Sequence, residues 1–303
     1  MKQYKVGIVG LGPVGSILGA YLVRSGMKVY GVELAENRAE QVNRDGFQIR
    51  GFAELEERPE GCFSSLAELS EVEDLAVVFM CTKTWALPDL LPVFADLQWP
   101  AKMRVVAAMN GIGPEDLVGE YVSKDRVCRG VINYAGNQDP DGRTSMNWFH
   151  PPNLLGPASE RAPKRMDEVA EMLTSAGLNT LSVSHYEMKK AAFFKTILNS
   201  ALNALCAAHG LTMARAMRLK HTRRMARVLL REGLTVAGLV GYNYGEDTLD
   251  RCIEYLEGGG EHHPSMWFDL KAVSYTHLTL PTMSTTCRSR WWPYRYNRGG
   301  GGG

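Results

Sequence analysis

A glycine-rich turn set between a strand and a helix constrains this chain more than any other feature. Tyr4 to Val9 is a short β-branched run, Gly10-Leu11-Gly12-Pro13-Val14-Gly15 follows, and Ile17, Leu18, Tyr21 and Leu22 then recur at helical spacing. Gly10 permits a tight turn, Gly12 lets the backbone approach a pyrophosphate, and Gly15 lets the helix pack close to the sheet. The helix N-terminus then faces the anion. Pro13 suits the first helical turn, where its missing N–H is no loss. Gly10, Leu11, Gly12, Pro13, Val14 and Gly15 are therefore candidate cofactor contacts.

A second strand, Lys28 to Val32, runs into Glu33, 18 residues after Gly15. A dinucleotide fold places an acid there to bind the adenosine ribose diol. A carboxylate would repel a 2′-phosphate, which points to NAD over NADP, although Lys83 or Arg38 could still supply positive charge nearby. A solvated glutamate at a strand end is the plainer alternative. Leu75 to Cys81 and Arg104 to Met109 are further strands, separated by a helical stretch around Leu87 to Leu97. Such alternation predicts a parallel, doubly wound sheet. Thr82-Lys83-Thr84 and Asn110-Gly111-Ile112-Gly113 follow these strands at their carboxyl ends, the edge where ligands bind. Asn110 is a candidate to hold a nicotinamide ribose or a substrate, or else an asparagine chosen for turn geometry beside glycine.

After one more strand, Leu178 to Ser184, the periodicity turns helical through residue 272. The fold class expected is α/β: a Rossmann-type doubly wound parallel sheet domain over 1–184, then an all-α domain over 185–272. Ala191 to Ala208 is apolar almost all round, so it should be a buried helix, yet it carries Lys195, Asn199 and Asn203. Steps of four residues turn about 40° and rise about 6 Å, which puts these three on one narrow polar stripe. Buried amides without partners cost about 1 to 3 kcal/mol each, and a lone buried ammonium costs more or loses its proton. A cleft holding an anionic, oxygen-rich ligand satisfies all three; a solvated surface stripe is the alternative.

Residues 215–231 hold seven Arg and Lys without an acid. With Met225, Val228, Leu229 and Leu234 opposite and no aromatic platform, they read as the solvated face of an amphipathic helix and not as a nucleic-acid surface. His262-His263 has no partner at metal-ligand spacing, and Pro264 opens a last helix. Overall 34 basic residues balance 33 acidic ones, so charge supports neither nucleic acid nor a membrane surface as the main partner. The apolar stretch Val6 to Val23 is interrupted by five glycines and no cleavage site follows it. Six scattered cysteines without short paired spacing fit reduced thiols, and the expected location is the cytoplasm.

Residues 273–303 stand apart, with four arginines, no acid, Trp291-Trp292 and a terminal run of five glycines. Val273 to Thr282 resembles the in-frame translation of a sequencing adapter, and Cys287 to Trp291 resembles its far end. A genuine basic, aromatic tail is the alternative. The expectation is a non-native, disordered tail after a helical domain that lacks its natural end.

Taken together the motifs resemble the ketopantoate reductase (2-dehydropantoate 2-reductase) family. The likeness runs through Gly10-x-Gly12-x-x-Gly15, Thr82-Lys83, Asn110-Gly111-x-Gly113, Lys195-x3-Asn199-x3-Asn203 and Pro264-Ser265-Met266-x-x-Asp269. The resemblance implies hydride transfer from a reduced nicotinamide, NADP or NAD, to the C2 ketone of a 2-oxo acid, with ketopantoate the default. It implies Lys195 as general acid; Asn199, Asn203 and Ser265 as substrate ligands; Asn110 as a contact to both substrate and cofactor; and Lys83 as a cofactor contact. A homodimer is a further expectation. Two departures stand out. NADP-preferring members usually carry an arginine one place after Glu33, where this chain has Leu34, so an NAD-linked D-2-hydroxyacid dehydrogenase of the same family is a live alternative. The family also places an essential glutamate about 12 residues beyond Ser265, where this chain has His277. A dinucleotide-binding sensor without chemistry is the reading from another functional class, and a chain that binds cofactor yet folds poorly and turns over little, for want of its last helices, is a third expectation.

Overall fold

The computed structural model describes residues 3–160 and 166–271. Residues 273–303, with the adapter-like tail and His277, lie outside the described residues. The first element is β1 (Lys5–Val9), followed by α1 (Pro13–Arg24), β2 (Lys28–Val32) and α2 (Glu36–Asp45). Three short strands come next, β3 (Phe47–Gly51), β4 (Leu55–Glu57) and β5 (Gly61–Phe63), then α3 (Leu66–Ser70). Alternation resumes with β6 (Leu75–Met80), α4 (Leu87–Asp96), β7 (Arg104–Ala107), α5 (Pro114–Tyr121) and β8 (Val127–Val131). After these lie β9 (Tyr134–Gln138), β10 (Thr144–Phe149), β11 (Asn153–Pro157), α6 (Met166–Ser175) and β12 (Thr180–Ser182).

Eight strands form one sheet in the order β12-β11-β8-β7-β6-β1-β2-β5. The run from β8 through β6 and β1 to β5 is parallel throughout. Its strands are apolar on both faces, as a sheet covered by helices on both sides must be. Ile8, Val77, Phe79, Val106 and Cys128 face one core, and Val78, Met80, Val105, Ala107 and Val127 the other. The structure adds two features to the expected parallel sheet. β11 runs antiparallel to β8, and a second, four-stranded sheet forms in the order β4-β3-β10-β9. Helix α1 packs against strands of both sheets, which is why Ile17, Leu18, Ala20 and Leu22 are all buried.

Helices follow the last strand: α7 (His185–His209), α8 (Met213–Arg218), α9 (Lys220–Leu239), α10 (Thr248–Glu257) and α11 (Ser265–Lys271). α7 opens on a capping box. The Ser184 hydroxyl oxygen accepts from the Glu187 N–H, and the Glu187 carboxylate accepts from the Ser184 N–H at 3.0 Å. By length and composition α7 could cross a bilayer. It packs against β8, β11, α8, α9 and α11.

The basic run over 215–231 divides at Leu219 into two helices instead of forming one. Met225 and Val228, expected opposite the charges in the core, are about half exposed. The buried line of α9 is Ala226, Leu230 and Ala237, with Gly233 between, where an added Cβ would meet Ile197 of α7 at 2.9 Å. Small residues at this seam let the two helices approach closely.

Ser184→Ala should lower stability by about 1 kcal/mol through loss of the α7 cap. The denaturant midpoint reads this directly, and an unchanged midpoint contradicts the assignment of the cap.

Candidate active site

The strand order reverses at β1 and β6, so the crevice beyond their carboxyl ends is the place this topology offers a ligand. The turns after those two strands touch. Gly10 has φ +91°, and a Cβ there would meet backbone and side-chain atoms of Thr82 at 2.9 Å. Gly15 is equally constrained, since an added Cβ would lie 2.1 Å from the Gly10 carbonyl oxygen. Gly12 differs: no atom lies within 4 Å of the place its Cβ would occupy, and no side chain caps the helix it begins. An open glycine at an uncapped helix start is the cradle a pyrophosphate requires. Beside it the hydroxyl of Thr82 is buried without a hydrogen-bond partner. These features fit a dinucleotide.

Pro13 and Val14 form the first turn of α1, and the Val14 carbonyl accepts from the Tyr134 hydroxyl at 3.1 Å. The Leu11 side chain is fully buried, so only its backbone can serve a ligand. Its N–H donates to the Glu33 carboxylate at 3.1 Å, and the Ala35 N–H reaches the same carboxylate at 3.3 Å. Glu33 thus sits at the glycine turn, its carboxylate held by two backbone N–H groups. Arg38 lies nearby but is occupied: it donates to Gln41 at 2.9 Å and to the Gly142 carbonyl at 2.6 Å. Leu34 is exposed. Lys83 donates to Asp269 of α11 at 2.7 Å, linking the sheet edge to the last described helix. Asn110 is exposed on the loop after β7, and its carbonyl accepts from the Thr84 hydroxyl at 3.2 Å.

The helical side of the site is α7. Lys195, Asn199 and Asn203 are each half-buried on it, and the Lys195 ammonium donates to the Ile132 carbonyl just past β8. That contact sets the amine at the carboxyl edge of the sheet. Desolvation, and secondarily the positive charge of Arg129, pull its pKa down to about 7. Ser265 is exposed at the start of α11, which packs against α7. The structure therefore places Lys195 and the Lys83–Asp269 pair at the carboxyl edge of the sheet, with the Asn110 loop held beside Thr84. A hollow of about 460 Å³ lined by Arg231, Tyr242 and Tyr244, among others, lies elsewhere in the helical region and includes none of the expected site residues.

A buried ionic cluster that no local pattern in the sequence reveals lies behind this edge. Arg129 of β8 and Glu115 of α5 are 3% and 1% exposed. Arg129 donates to the Gly111 carbonyl at 3.1 Å, and its Nε lies 3.8 Å from Glu115. Lys189 of α7 closes the cluster, 2.9 Å from Glu115 and bonded also to Asp116. A lone arginine inside the strand Val127–Val131 was the available signal.

This geometry defines a class: an α/β protein with a dinucleotide cradle and a helical region that carries a lysine to the sheet edge. The description "Ketopantoate reductase PanE/ApbA" fits residues 6–155, and that family's C-terminal model fits residues 187–279. The chain belongs to the ketopantoate reductase family, a family of oxidoreductases. It is 24% identical over 278 residues to a 2-dehydropantoate 2-reductase of Archaeoglobus fulgidus, covering 92% of this chain and 88% of that protein. A counterpart of Lactococcus lactis is 24% identical over 284 residues, with coverage of 88% and 85%. Among solved structures, a 2-dehydropantoate 2-reductase from Geobacter metallireducens matches with TM-score 0.79 at 21% identity, over 89% of this chain and 87% of that one. A D-mandelate dehydrogenase with NADH and anilino(oxo)acetate matches with TM-score 0.76 at 23% identity, over 88% and 85%. At these identities the structural matches establish a common fold.

The lowered lysine pKa has a consequence for stability. Below pH 7 the folded protein must hold a desolvated ammonium; between about 7 and 10.5 the unfolded state binds the proton and the folded state does not, so stability rises with pH. Lys195→Met should therefore stabilise the fold at pH 6, by on the order of 1 kcal/mol or more, with the advantage shrinking toward pH 10. Melting curves across that range test it, and a pH-independent difference contradicts it.

Proposed function

We propose that this protein reduces the C2 ketone of a small 2-oxo acid to the 2-hydroxy acid with a nicotinamide dinucleotide, ketopantoate being the default substrate. The observation that carries this reading is the Lys195 amine, desolvated, lowered to about pKa 7 and placed at the ligand-binding edge of the sheet. The dinucleotide would be held by the Gly10–Gly15 turn, by Glu33 and by the loop of Asn110, with Lys83 at the same edge. When bound in reduced form it supplies the hydride.

The chain's own residues do the rest. As negative charge develops on the ketone oxygen, the Lys195 ammonium stabilises it and delivers a proton to that oxygen. A pKa near 7 keeps the donor poised, protonated for a large part of the time near neutrality and acidic enough to give the proton up. Asn199 and Asn203, four and eight residues further along α7, offer carboxamides to the substrate's hydroxyl or carboxylate oxygens. Ser265 offers a hydroxyl from α11, and Asn110 reaches the same edge from β7. These roles for Asn110, Asn199, Asn203 and Ser265 form part of the proposal.

Glu33 at the glycine turn and the occupied Arg38 favour an unphosphorylated ribose, hence NAD, whereas the family default is NADP. The same two residues keep the D-2-hydroxyacid dehydrogenase reading alive. The five described cysteines are all free thiols, which fits a cytoplasmic setting.

Lys195→Ala should lower turnover about 10²- to 10⁴-fold while enhancement of bound nicotinamide fluorescence persists. Initial rates with NADH and NADPH against ketopantoate and bulkier branched 2-oxo acids identify cofactor and substrate. Unchanged turnover in the variant removes Lys195 from the mechanism, and fluorescence enhancement with no 2-oxo acid consumption by the wild type favours a sensor.

A further inference from the structure

We propose that Arg129 and Glu115 form a buried positioning pair, which holds the Asn110 loop through the Gly111 carbonyl and sets the net charge beside the Lys195 amine. This rests on the reductase reading, in which Lys195 is the proton donor.

Geometry ties the pair to both sides of the site. Arg129 lies in β8, three residues before Ile132, whose carbonyl receives the Lys195 ammonium. The Arg129 Nη2 donates to the Gly111 carbonyl at 3.1 Å, one residue after Asn110. Gly111 has φ +107°, so the loop turns through a conformation that this bond helps to fix. The guanidinium is under-satisfied: its Nε and Nη1 are buried without hydrogen-bond partners, and so is the Glu115 Oε2. Nε and Oε2 stand 3.8 Å apart. A buried arginine whose counter-ion is this loosely held leaves part of its positive charge uncompensated, and low dielectric carries that charge to its neighbours.

The other charges near Lys195 are spoken for. α7 packs against β8, β11, α8, α9 and α11. β11 has no ionisable side chain, and Asp269 of α11 pairs with Lys83. Lys271 of α11 lies over the Trp267 ring. On α7 itself Lys189 is bound to Glu115 and Asp116, Lys190 lies over the Tyr244 ring, Glu187 closes the capping box with Ser184, and His185 and His209 bond the Pro157 and Leu205 carbonyls. The charged residues of α8 and α9, the acid Glu232 included, face solvent, apart from Arg227, which is half-buried and pairs with Asp250. Arg129 remains as the charge that acts on Lys195, and it acts to lower the amine's pKa.

The two partners should therefore move the amine in opposite directions. Reduction needs protonated Lys195, so its rate falls as pH rises through the amine's pKa. Arg129→Met removes a neighbouring cation and should shift that falling limb alkaline by about one unit. Glu115→Gln exposes Lys195 to an uncompensated arginine and should shift the limb acid by about half a unit. Arg129→Lys keeps the charge and should leave the limb near its wild-type position. A second readout needs no turnover: cyanate carbamylates only the neutral amine, so the pH midpoint of Lys195 carbamylation, followed by peptide mass spectrometry, should move with the kinetic limb. Lower rates with an unmoved limb and an unmoved carbamylation midpoint in both variants would overturn the proposal. A wild type that turns over no 2-oxo acid fails the reductase reading instead, and the carbamylation midpoint then decides the role of Arg129 by itself. If Arg129→Met does not fold, Glu115→Gln and Arg129→Lys still test the pair.

Discussion

An ammonium group drawn out of water is the constraint on which this structure turns. Lys195 exchanges part of its hydration for one backbone carbonyl, that of Ile132, on a helix where its neighbours Ala192, Thr196 and Ile197 are buried. No ordinary packing role calls for a lysine there, because leucine or methionine would fill the space without the desolvation cost. The proposed role of proton donor would account for the position. Capping, sheet topology and helix packing then serve to bring that one amine to the carboxyl edge of a sheet whose first turn is shaped for phosphate.

Polar contacts between the two halves of the chain hold this arrangement. Lys189 ties the first turns of α7 to the start of α5, and Lys83 ties the loop after β6 to α11. The two links differ in kind. Lys83 is about half exposed while Asp269 is largely buried, so their pair is only partly screened by solvent. Glu115 is buried and would be left uncompensated without its cationic neighbours, so that link is rigid.

Much of this was legible from residue order. The glycine turn, the strands β1, β2, β6 and β7 and the long apolar helix with its polar stripe follow from local periodicity and turn chemistry. The second sheet was not legible: its strands over 47–57 and 134–149 are short and mix polar with apolar residues, and their pairing of β3 with β10 spans a sequence separation that no local pattern reports. The same limit hid Arg129 and Glu115, which look like an ordinary strand arginine and a first-turn helix glutamate until the fold buries them together. In α9 the apolar pattern pointed to Met225 and Val228, but the small residues Ala226, Gly233 and Ala237 made the closer seam with the rest of the helical region.

The central claim is most directly tested by a crystal structure of this chain with a nicotinamide dinucleotide and a non-reducible 2-oxo acid analogue. The account predicts the Lys195 amine within about 3 Å of the oxygen on C2, with the dinucleotide phosphates against the Gly10–Gly15 turn. An amine still on the Ile132 carbonyl, with the analogue bound out of its reach, would contradict it.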